Sequence, residues 1–208
     1  MSKVVSFHTY KLNDGASVSD FLLSTEKLIK EYVSKQKGYV SFQLFKKGDI
    51  WADSVTFETP DDFNAFLETE NQMNELAGNF ASFLNFDTLT NNTYSVEKNY
   101  SNKDAVVSNA VWFITYKLNK GVSVKDFLLA SEKTNKEVLS KQKGFISWKV
   151  LVDGDLWVDL VTWETQEDAK YAENCDNERE PDPVALKFYS FIDPESLTNQ
   201  VFTVEKSF

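Results

Sequence analysis

The sequence contains one side chain that changes its charge near neutral pH, the imidazole of His8, which is the only histidine in the chain. In an extended strand alternate side chains share a face, so the stretch VSFHTYKL groups His8 with Ser6, Tyr10 and Leu12. His8 is therefore either a group that acts on a ligand or a partly buried structural histidine with one satisfied hydrogen bond. The sequence leaves both interpretations open.

A second candidate is the carboxyl group of Asp53. The pattern Trp51-x-Asp53 recurs later in the chain as Trp157-x-Asp159. A carboxyl group buried against an apolar wall can act as a base, which makes Asp53 a candidate catalytic residue. Recurrence of the pattern favours a structural role instead, with an aromatic core residue followed by a strand carboxylate held in a hydrogen bond.

These residues belong to a sequence that contains an internal repeat. Residues 10–59 align without a gap with residues 116–165, and 29 of the 50 aligned positions are identical. The similarity resumes near the end of each copy, where FLNFDTLTNNTYSVEKNY corresponds to FIDPESLTNQVFTVEKSF. The chain therefore arose by internal duplication, and each copy must contain the elements that position its candidate residues.

Each copy predicts the same six elements in the order βαββαβ. Ser17-x-x-Asp20 resembles a helix capping box, Gly38 suits the left-handed position after that helix, and Thr59 with Pro60 opens a second helix. Lys47-Gly48-Asp49 predicts a hairpin turn. The predicted elements of the first copy are strand 4–12, a helix after residue 17, strands 39–45 and 50–58, a helix from residue 60 towards 83, and strand 93–100.

The predicted fold class is α+β, with two tandem ferredoxin-like βαββαβ repeats. We assign residues 1–100 to the first repeat, 101–109 to a polar linker, and 110–208 to the second repeat. Two helices on one face of a four-stranded sheet leave its other face bare, and that face must be covered. We therefore expect the two sheets to pack face to face, as a pseudo-dimeric α+β barrel in one chain.

The two copies differ in bulk at matching positions. Three tryptophans in the second copy replace smaller residues of the first, namely Trp112, Trp148 and Trp163 in place of Ser6, Phe42 and Phe57. Ile114 stands where the first copy has His8. One interpretation is an apolar ligand pocket in the first copy that bulk closes in the second. The alternative, repacking of a core after duplication, is equally consistent with the sequence.

Composition excludes several classes of function. A net charge of −10 and a pI of about 4.7 disfavour nucleic acid and anionic membrane surfaces as partners. Arg179 is the only arginine, and no glycine-rich phosphate-binding loop occurs. The single cysteine, Cys175, excludes an intrachain disulfide, and no His, Asp or Glu spacing matches a metal site.

We therefore expect neither a metal nor another cofactor. The first residues, MSKVVSFHTYKLND, contain no apolar run of signal-peptide length, and no stretch approaches a membrane span. These features favour a cytoplasmic protein that is not bound to a membrane.

The order of elements, the strand endings VTFET and VTWET, and the aromatic second helix resemble the dimeric α+β barrel superfamily, in particular the proteins similar to antibiotic-biosynthesis monooxygenases. The resemblance implies a cleft between the sheet and the helices of each repeat, with a polar first-strand residue at about the position of His8. It thus implies His8, Tyr10 and Asp53 as catalytic candidates, and Ser6, Phe42 and Phe66 as ligand-binding candidates.

The heme-degrading branch of this superfamily carries an Asn on the first strand and a Trp and a His on the second helix. At about these places the first repeat has His8, Phe66 and Leu76. No histidine stands where the axial ligand is expected, so the resemblance does not extend to heme degradation.

Two functions remain. The resemblance implies a cofactor-independent monooxygenase that acts on a flat aromatic or polyketide-like substrate. The scarcity of histidine, arginine and cysteine favours instead a non-catalytic module that binds an apolar ligand or a protein partner. In both cases the expected small-molecule partner is apolar or aromatic, and the chain is expected to form a pseudo-dimer by itself, with higher oligomers left open.

Overall fold

The first repeat begins with the strand that carries His8. In this computed structural model residues 2–70, 75–102, 108–178 and 182–208 are described, without the side chains of residues 70 and 173–178. Cys175 is among those side chains, and Arg179 lies outside the described residues. The elements of the first repeat are β1 (Val4–Leu12), α1 (Val18–Glu31), β2 (Tyr39–Lys47), β3 (Ile50–Phe57), α2 (Pro60–Glu70), α3 (Glu75–Ala81) and β4 (Leu84–Ser101).

The strands of the first repeat are antiparallel and follow the order β4-β1-β3-β2. Polar side chains cap the N-termini of α1 and α2, as the sequence predicts. Ser17 Oγ accepts a hydrogen bond from the backbone N–H of Asp20 at 3.3 Å, and Thr59 Oγ1 accepts one from that of Asp62 at 3.1 Å. Gly38 has a φ of 76°, which places it in the left-handed region that favours glycine.

The second repeat has the same arrangement, with strand order β8-β5-β7-β6. The caps recur, because Ser123 Oγ and Thr165 Oγ1 accept hydrogen bonds from the N–H groups of Asp126 and Asp168. Its elements are β5 (Ala110–Lys117), α4 (Val124–Glu137), β6 (Phe145–Asp153), β7 (Leu156–Trp163), α5 (Gln166–Glu178), α6 (Pro183–Tyr189) and β8 (Thr198–Ser207).

The chain divides into two compact units, of which the first comprises Met1–Ser95 with Glu205–Phe208 and the second Val96–Val204. The last residues of the chain thus belong to the first unit. There Phe42 and Phe208 exchange two backbone hydrogen bonds, of 3.1 and 2.9 Å. The sequence-based boundaries at 1–100 and 110–208 stay a prediction.

Two elements differ from the prediction. β4 begins at Leu84 rather than at residue 93, because Leu84 and Asn85 pair with Leu12 and Lys11 before an irregularity in the register. The predicted second helix corresponds to α2 and α3, of which α3 ends at Ala81 rather than near residue 83; residues 71–74 lie outside the described residues. None of the described helices combines the length and the apolar character needed to cross a membrane.

Candidate functional site

The first unit contains a cavity of about 540 Å³ between the inner face of its sheet and its helices. The wall contributed by the helices is mostly apolar, with Ile29 on α1, Phe66 on α2 and Phe80 on α3, and Glu75 of α3 also borders it. Phe66 is held by ring contacts with Phe57 at 5.2 Å and Tyr32 at 6.2 Å. A cavity of this size and lining suits a ligand of drug-like dimensions with apolar surfaces.

The floor of the cavity is polar and comes from the sheet. Ser6, His8 and Tyr10 alternate along β1 and therefore share one face, as the sequence predicts. His8 pairs with Asp53 on β3 and with Asn91 on β4, so three polar residues lie side by side on neighbouring strands. Antiparallel register, rather than any sequence motif, brings these side chains together.

His8 is hydrogen-bonded on both sides of its ring. Its Nδ1 lies 2.7 Å from Asp53 Oδ1, and its Nε2 lies 3.2 Å from Ser6 Oγ. The side chain of Asp53 is 6% exposed and that of His8 is 25% exposed. Donation from Nδ1–H to the carboxylate leaves the Nε2 lone pair directed at Ser6 Oγ and the cavity.

Tyr10 completes the floor and is almost fully buried. Among the described residues its hydroxyl makes no hydrogen bond of ordinary geometry, although the Asp53 carboxylate lies close enough to interact with it. Burial raises the pKa of Tyr10 well above its ordinary value, and the nearby Asp53 carboxylate raises it further. The hydroxyl therefore keeps its proton and remains a hydrogen-bond donor.

The second repeat shows the same carboxyl group without a histidine. Ile114 pairs with Asp159, and Tyr116 Oη donates a hydrogen bond of 3.0 Å to Asp159 Oδ1. Burial raises the pKa of Asp159 to about 7, although the neighbouring Trp148 indole and the hydrogen bond from Tyr116 act to lower it. In this repeat the tyrosine holds the carboxyl group, a role that His8 has in the first.

The corresponding cavity of the second unit measures only about 50 Å³. Trp112 and Trp148 line it at the positions of Ser6 and Phe42, although Ala172 stands where α2 has Phe66. Indole rings from the sheet thus occupy space that a smaller floor leaves open in the first unit. The difference in bulk noted in the sequence coincides with a difference of about tenfold in cavity volume.

All six catalytic and ligand-binding candidates from the sequence line the first cavity: Ser6, His8, Tyr10, Phe42, Asp53 and Phe66. Their roles stay predictions. Sequence reasoning missed Asn91, which accepts a hydrogen bond of 3.4 Å from Ser6 Oγ, and the exposed Phe86 at the rim. The register of β4 against β1 is the signal that finds Asn91, and it is not visible in one sequence.

The floor does not fit a heme. His8 is the only histidine, and both of its ring nitrogens already face protein groups, at 2.7 and 3.2 Å. Axial ligation needs one of these nitrogens free and directed at the iron. Within the described ranges no three His, Cys, Asp or Glu side chains lie close enough together to hold a metal ion.

No protein-family model and no curated protein sequence matches this chain. Solved structures do match it. A candidate monooxygenase from Fusobacterium nucleatum superposes with a TM-score of 0.72 at 9% identity, over 99% of this chain and 94% of that one. An anthrone oxidase-like protein gives a TM-score of 0.59 at 10% identity, with coverages of 100% and 93%.

A Listeria monocytogenes ferredoxin-fold protein related to antibiotic biosynthesis monooxygenases gives a TM-score of 0.55 at 8% identity, with coverages of 99% and 96%. These similarities extend over the whole chain and show its fold. The chain shares the α+β fold of these proteins, with two ferredoxin-like repeats. The fold class and the resemblance predicted from the sequence are confirmed.

Proposed function

We propose that this protein is a cofactor-independent monooxygenase that oxidises a flat, weakly acidic aromatic substrate in the cavity of the first unit. The observation that carries the proposal is the pair of His8 and Asp53, 2.7 Å apart on the floor of an apolar cavity. A base at the end of an apolar cleft is what an enzyme needs to ionise a ring system that then reacts with oxygen by itself.

An anthrone is a concrete substrate, and the similarity to an anthrone oxidase-like structure supports this choice. Its CH₂ group lies between two aromatic rings opposite a carbonyl. His8 Nε2 removes one CH₂ proton while Asp53 stabilises the imidazolium, and the negative charge moves to the carbonyl oxygen. The hydroxyl of Tyr10, which makes no hydrogen bond of ordinary geometry among the described residues, is suited to donate to that oxygen.

The carbanion itself supplies the electrons for oxygen. Reaction of the ionised CH₂ carbon with O₂ gives a peroxide, which takes up the proton held by His8. Loss of water, with the second CH₂ hydrogen, leaves a carbonyl, so that CH₂ and O₂ become C=O and H₂O. No external reductant is required by this balance, which is consistent with the expectation of a protein without a cofactor.

The test uses the full-length protein and anthrone in air-saturated buffer. Oxygen uptake and the absorbance of anthraquinone are measured together, and one O₂ is expected per quinone. His8→Ala should lower the turnover by about 10²- to 10⁴-fold, as is typical for loss of a general base. Tyr10→Phe should lower it by about 10²- to 10³-fold if this hydroxyl stabilises the oxyanion.

The second repeat supplies the matched control. Tyr116→Phe makes the same change beside Asp159, outside the proposed site, and turnover should stay at the wild-type rate. Equal losses in the two tyrosine variants contradict the assignment of the site. Tight anthrone binding with no turnover above the uncatalysed rate favours the alternative, a non-catalytic module that binds apolar ligands.

A further inference from the structure

We propose that Ser6, His8 and Asp53 form a nucleophile–base–carboxylate triad, and that Ser6 Oγ can be acylated by an aryl ester bound in the same cavity. This activity goes beyond the proposed oxidation, because it needs neither oxygen nor an acidic C–H bond. It uses one residue, Ser6, for covalent chemistry that the oxidation does not require.

The geometry is that of an activated serine. Ser6 Oγ lies 3.2 Å from His8 Nε2, and His8 Nδ1 lies 2.7 Å from Asp53 Oδ1, so the imidazole bridges the hydroxyl and the carboxylate through opposite nitrogens. A carboxylate on Nδ1 fixes the tautomer in which Nε2 can accept the serine proton. Such a triad is recognised by the distances between nucleophile, base and carboxylate, and it occurs on unrelated folds.

The position of Ser6 also suits the reaction. Its side chain is buried, 1% exposed, yet it borders the cavity of about 540 Å³, so a reagent reaches it through the cavity. The hydroxyl of Tyr10, which also borders the cavity, is the candidate donor to a developing oxyanion. Asn91 Oδ1 accepts from Ser6 Oγ at 3.4 Å, so the serine proton must turn from Asn91 to His8 Nε2 for the reaction.

The step balances with water as the co-reactant. Ser6 Oγ bonds to the carbonyl carbon as its proton passes to His8 Nε2, and the bond from that carbon to the aryloxy oxygen breaks. His8 returns the proton to the departing phenol. Water then attacks the acyl-serine with His8 as base, releasing the carboxylic acid and restoring the hydroxyl.

The apolar wall selects the substrate class. Phe66 and Phe80 border the cavity above the floor and offer aromatic surface. No lysine or arginine occurs among the described residues that line the cavity, so no permanent cation there pairs with an anionic leaving group such as a phosphate. A neutral aryl ester of a small acid therefore fits better than a charged acyl donor.

The second repeat retains only one member of the triad. Trp112 stands at the position of Ser6 and Ile114 at that of His8, so Asp159 has neither a hydroxyl nucleophile nor an imidazole in the matching places. We therefore expect one reactive serine per chain.

The experiment uses a fluorophosphonate with a short alkyl chain, which transfers its phosphonyl group to an activated serine with loss of fluoride. The full-length protein is treated under nitrogen, so that no oxidation contributes. Intact mass should show one adduct per chain, and peptide mapping should place it on Ser6. His8→Ala and Asp53→Asn should slow adduct formation by at least about 100-fold.

A parallel measurement uses 4-nitrophenyl acetate, for which a burst of about one nitrophenolate per chain and an acetyl group on Ser6 are expected. Ser54→Ala is the control, since Ser54 is a buried serine of β3 on the opposite face of the same sheet, and it should not change either rate. Ser6→Ala should abolish both signals.

If Ser6→Ala does not fold, Ser6→Cys keeps the test open. Iodoacetamide should then alkylate the thiol at position 6 at least about 10-fold faster than it does when His8→Ala is added. Absence of a wild-type adduct, an adduct on Tyr10 or His8, or modification rates that are indifferent to His8→Ala would each overturn the triad. Failure of anthrone oxidation with a normal Ser6 adduct overturns only the proposed function.

Discussion

Asp159→Asn should abolish a marked pH dependence of stability that the second repeat confers. Burial raises the pKa of Asp159 from an ordinary value of 3.8 to about 7. A difference of about 3 pH units, at about 1.4 kcal/mol per unit, corresponds to about 4 kcal/mol between protonated and ionised forms. The free energy of unfolding should therefore depend on pH through this one group.

The sign follows from where the proton is held. Below about pH 4 both the folded and the unfolded chain carry the proton on Asp159. Between about pH 4 and 7 the unfolded chain releases it while the folded chain keeps it, so the free energy of unfolding falls as pH rises. Above about pH 7 both forms are ionised and the loss is complete. Asparagine cannot ionise, and its Oδ1 can still accept from Tyr116, so the variant lacks this decline.

The assay is urea unfolding at pH 5, 6, 7 and 8, followed by tryptophan fluorescence. Four of the five tryptophans, Trp112, Trp148, Trp157 and Trp163, lie in the second repeat and report on it. The advantage of Asp159→Asn over wild type should grow by roughly 1 kcal/mol per pH unit from pH 5 to 7 and then level off. Asp153→Asn, an exposed change on the same hairpin, should follow the wild-type profile. Parallel profiles for Asp159→Asn and wild type would refute the reasoning.

Three further changes test the site and its support. Ser6→Trp copies the bulk of the second repeat and should weaken binding of flat aromatic ligands at least about 10-fold, measured by fluorescence quenching; an unchanged affinity contradicts a cavity at this position. Deletion of residues 205–208 removes two backbone hydrogen bonds to Phe42 and a ring contact at 6.2 Å, and should lower the free energy of unfolding by about 2 kcal/mol. Gly38→Ala should lower it by about 2 kcal/mol, because φ is 76° and the new Cβ would lie 2.5 Å from Asp62 Oδ2; calorimetry showing an unchanged melting temperature contradicts this.

Much of the fold follows from sequence because its signals are local and occur twice. β1 matches the predicted strand at residues 4–12, and Ser17 caps α1 as the motif indicates. The early start of β4 at Leu84 could not be predicted, because it depends on pairing with Leu12, 72 positions away in the sequence. Pairing across such a distance is decided by the tertiary structure, and the polar stretch NNT gives no strand signal of its own.

The candidate site was predictable in membership but not in geometry. Strand alternation groups Ser6, His8 and Tyr10 without reference to a structure. The hydrogen bond between His8 and Asp53 depends on the register of β1 against β3, which no short motif specifies. Recurrence of the carboxyl group as Asp159 favours a structural role for Asp53. Recurrence alone cannot decide this role, because Asp53 binds His8 whereas Asp159 binds Tyr116. The cytoplasmic setting and the exclusion of nucleic acid as a partner stay predictions.

The two repeats together show how few changes separate a structural carboxyl group from a candidate reactive one. In the second repeat Asp159 takes its hydrogen bond from Tyr116, and the tyrosine is fully engaged. Where the first repeat has His8, the imidazole binds Asp53, and the hydroxyl of Tyr10, a residue that lines the cavity, makes no hydrogen bond of ordinary geometry within the described residues. Histidine in place of isoleucine thus supplies a base and leaves the tyrosine hydroxyl as a donor. Serine in place of tryptophan opens space above both groups. Histidine without serine would give a base with no space for a ligand, and serine without histidine would give a cavity with no base. We therefore expect both residues to be needed for activity.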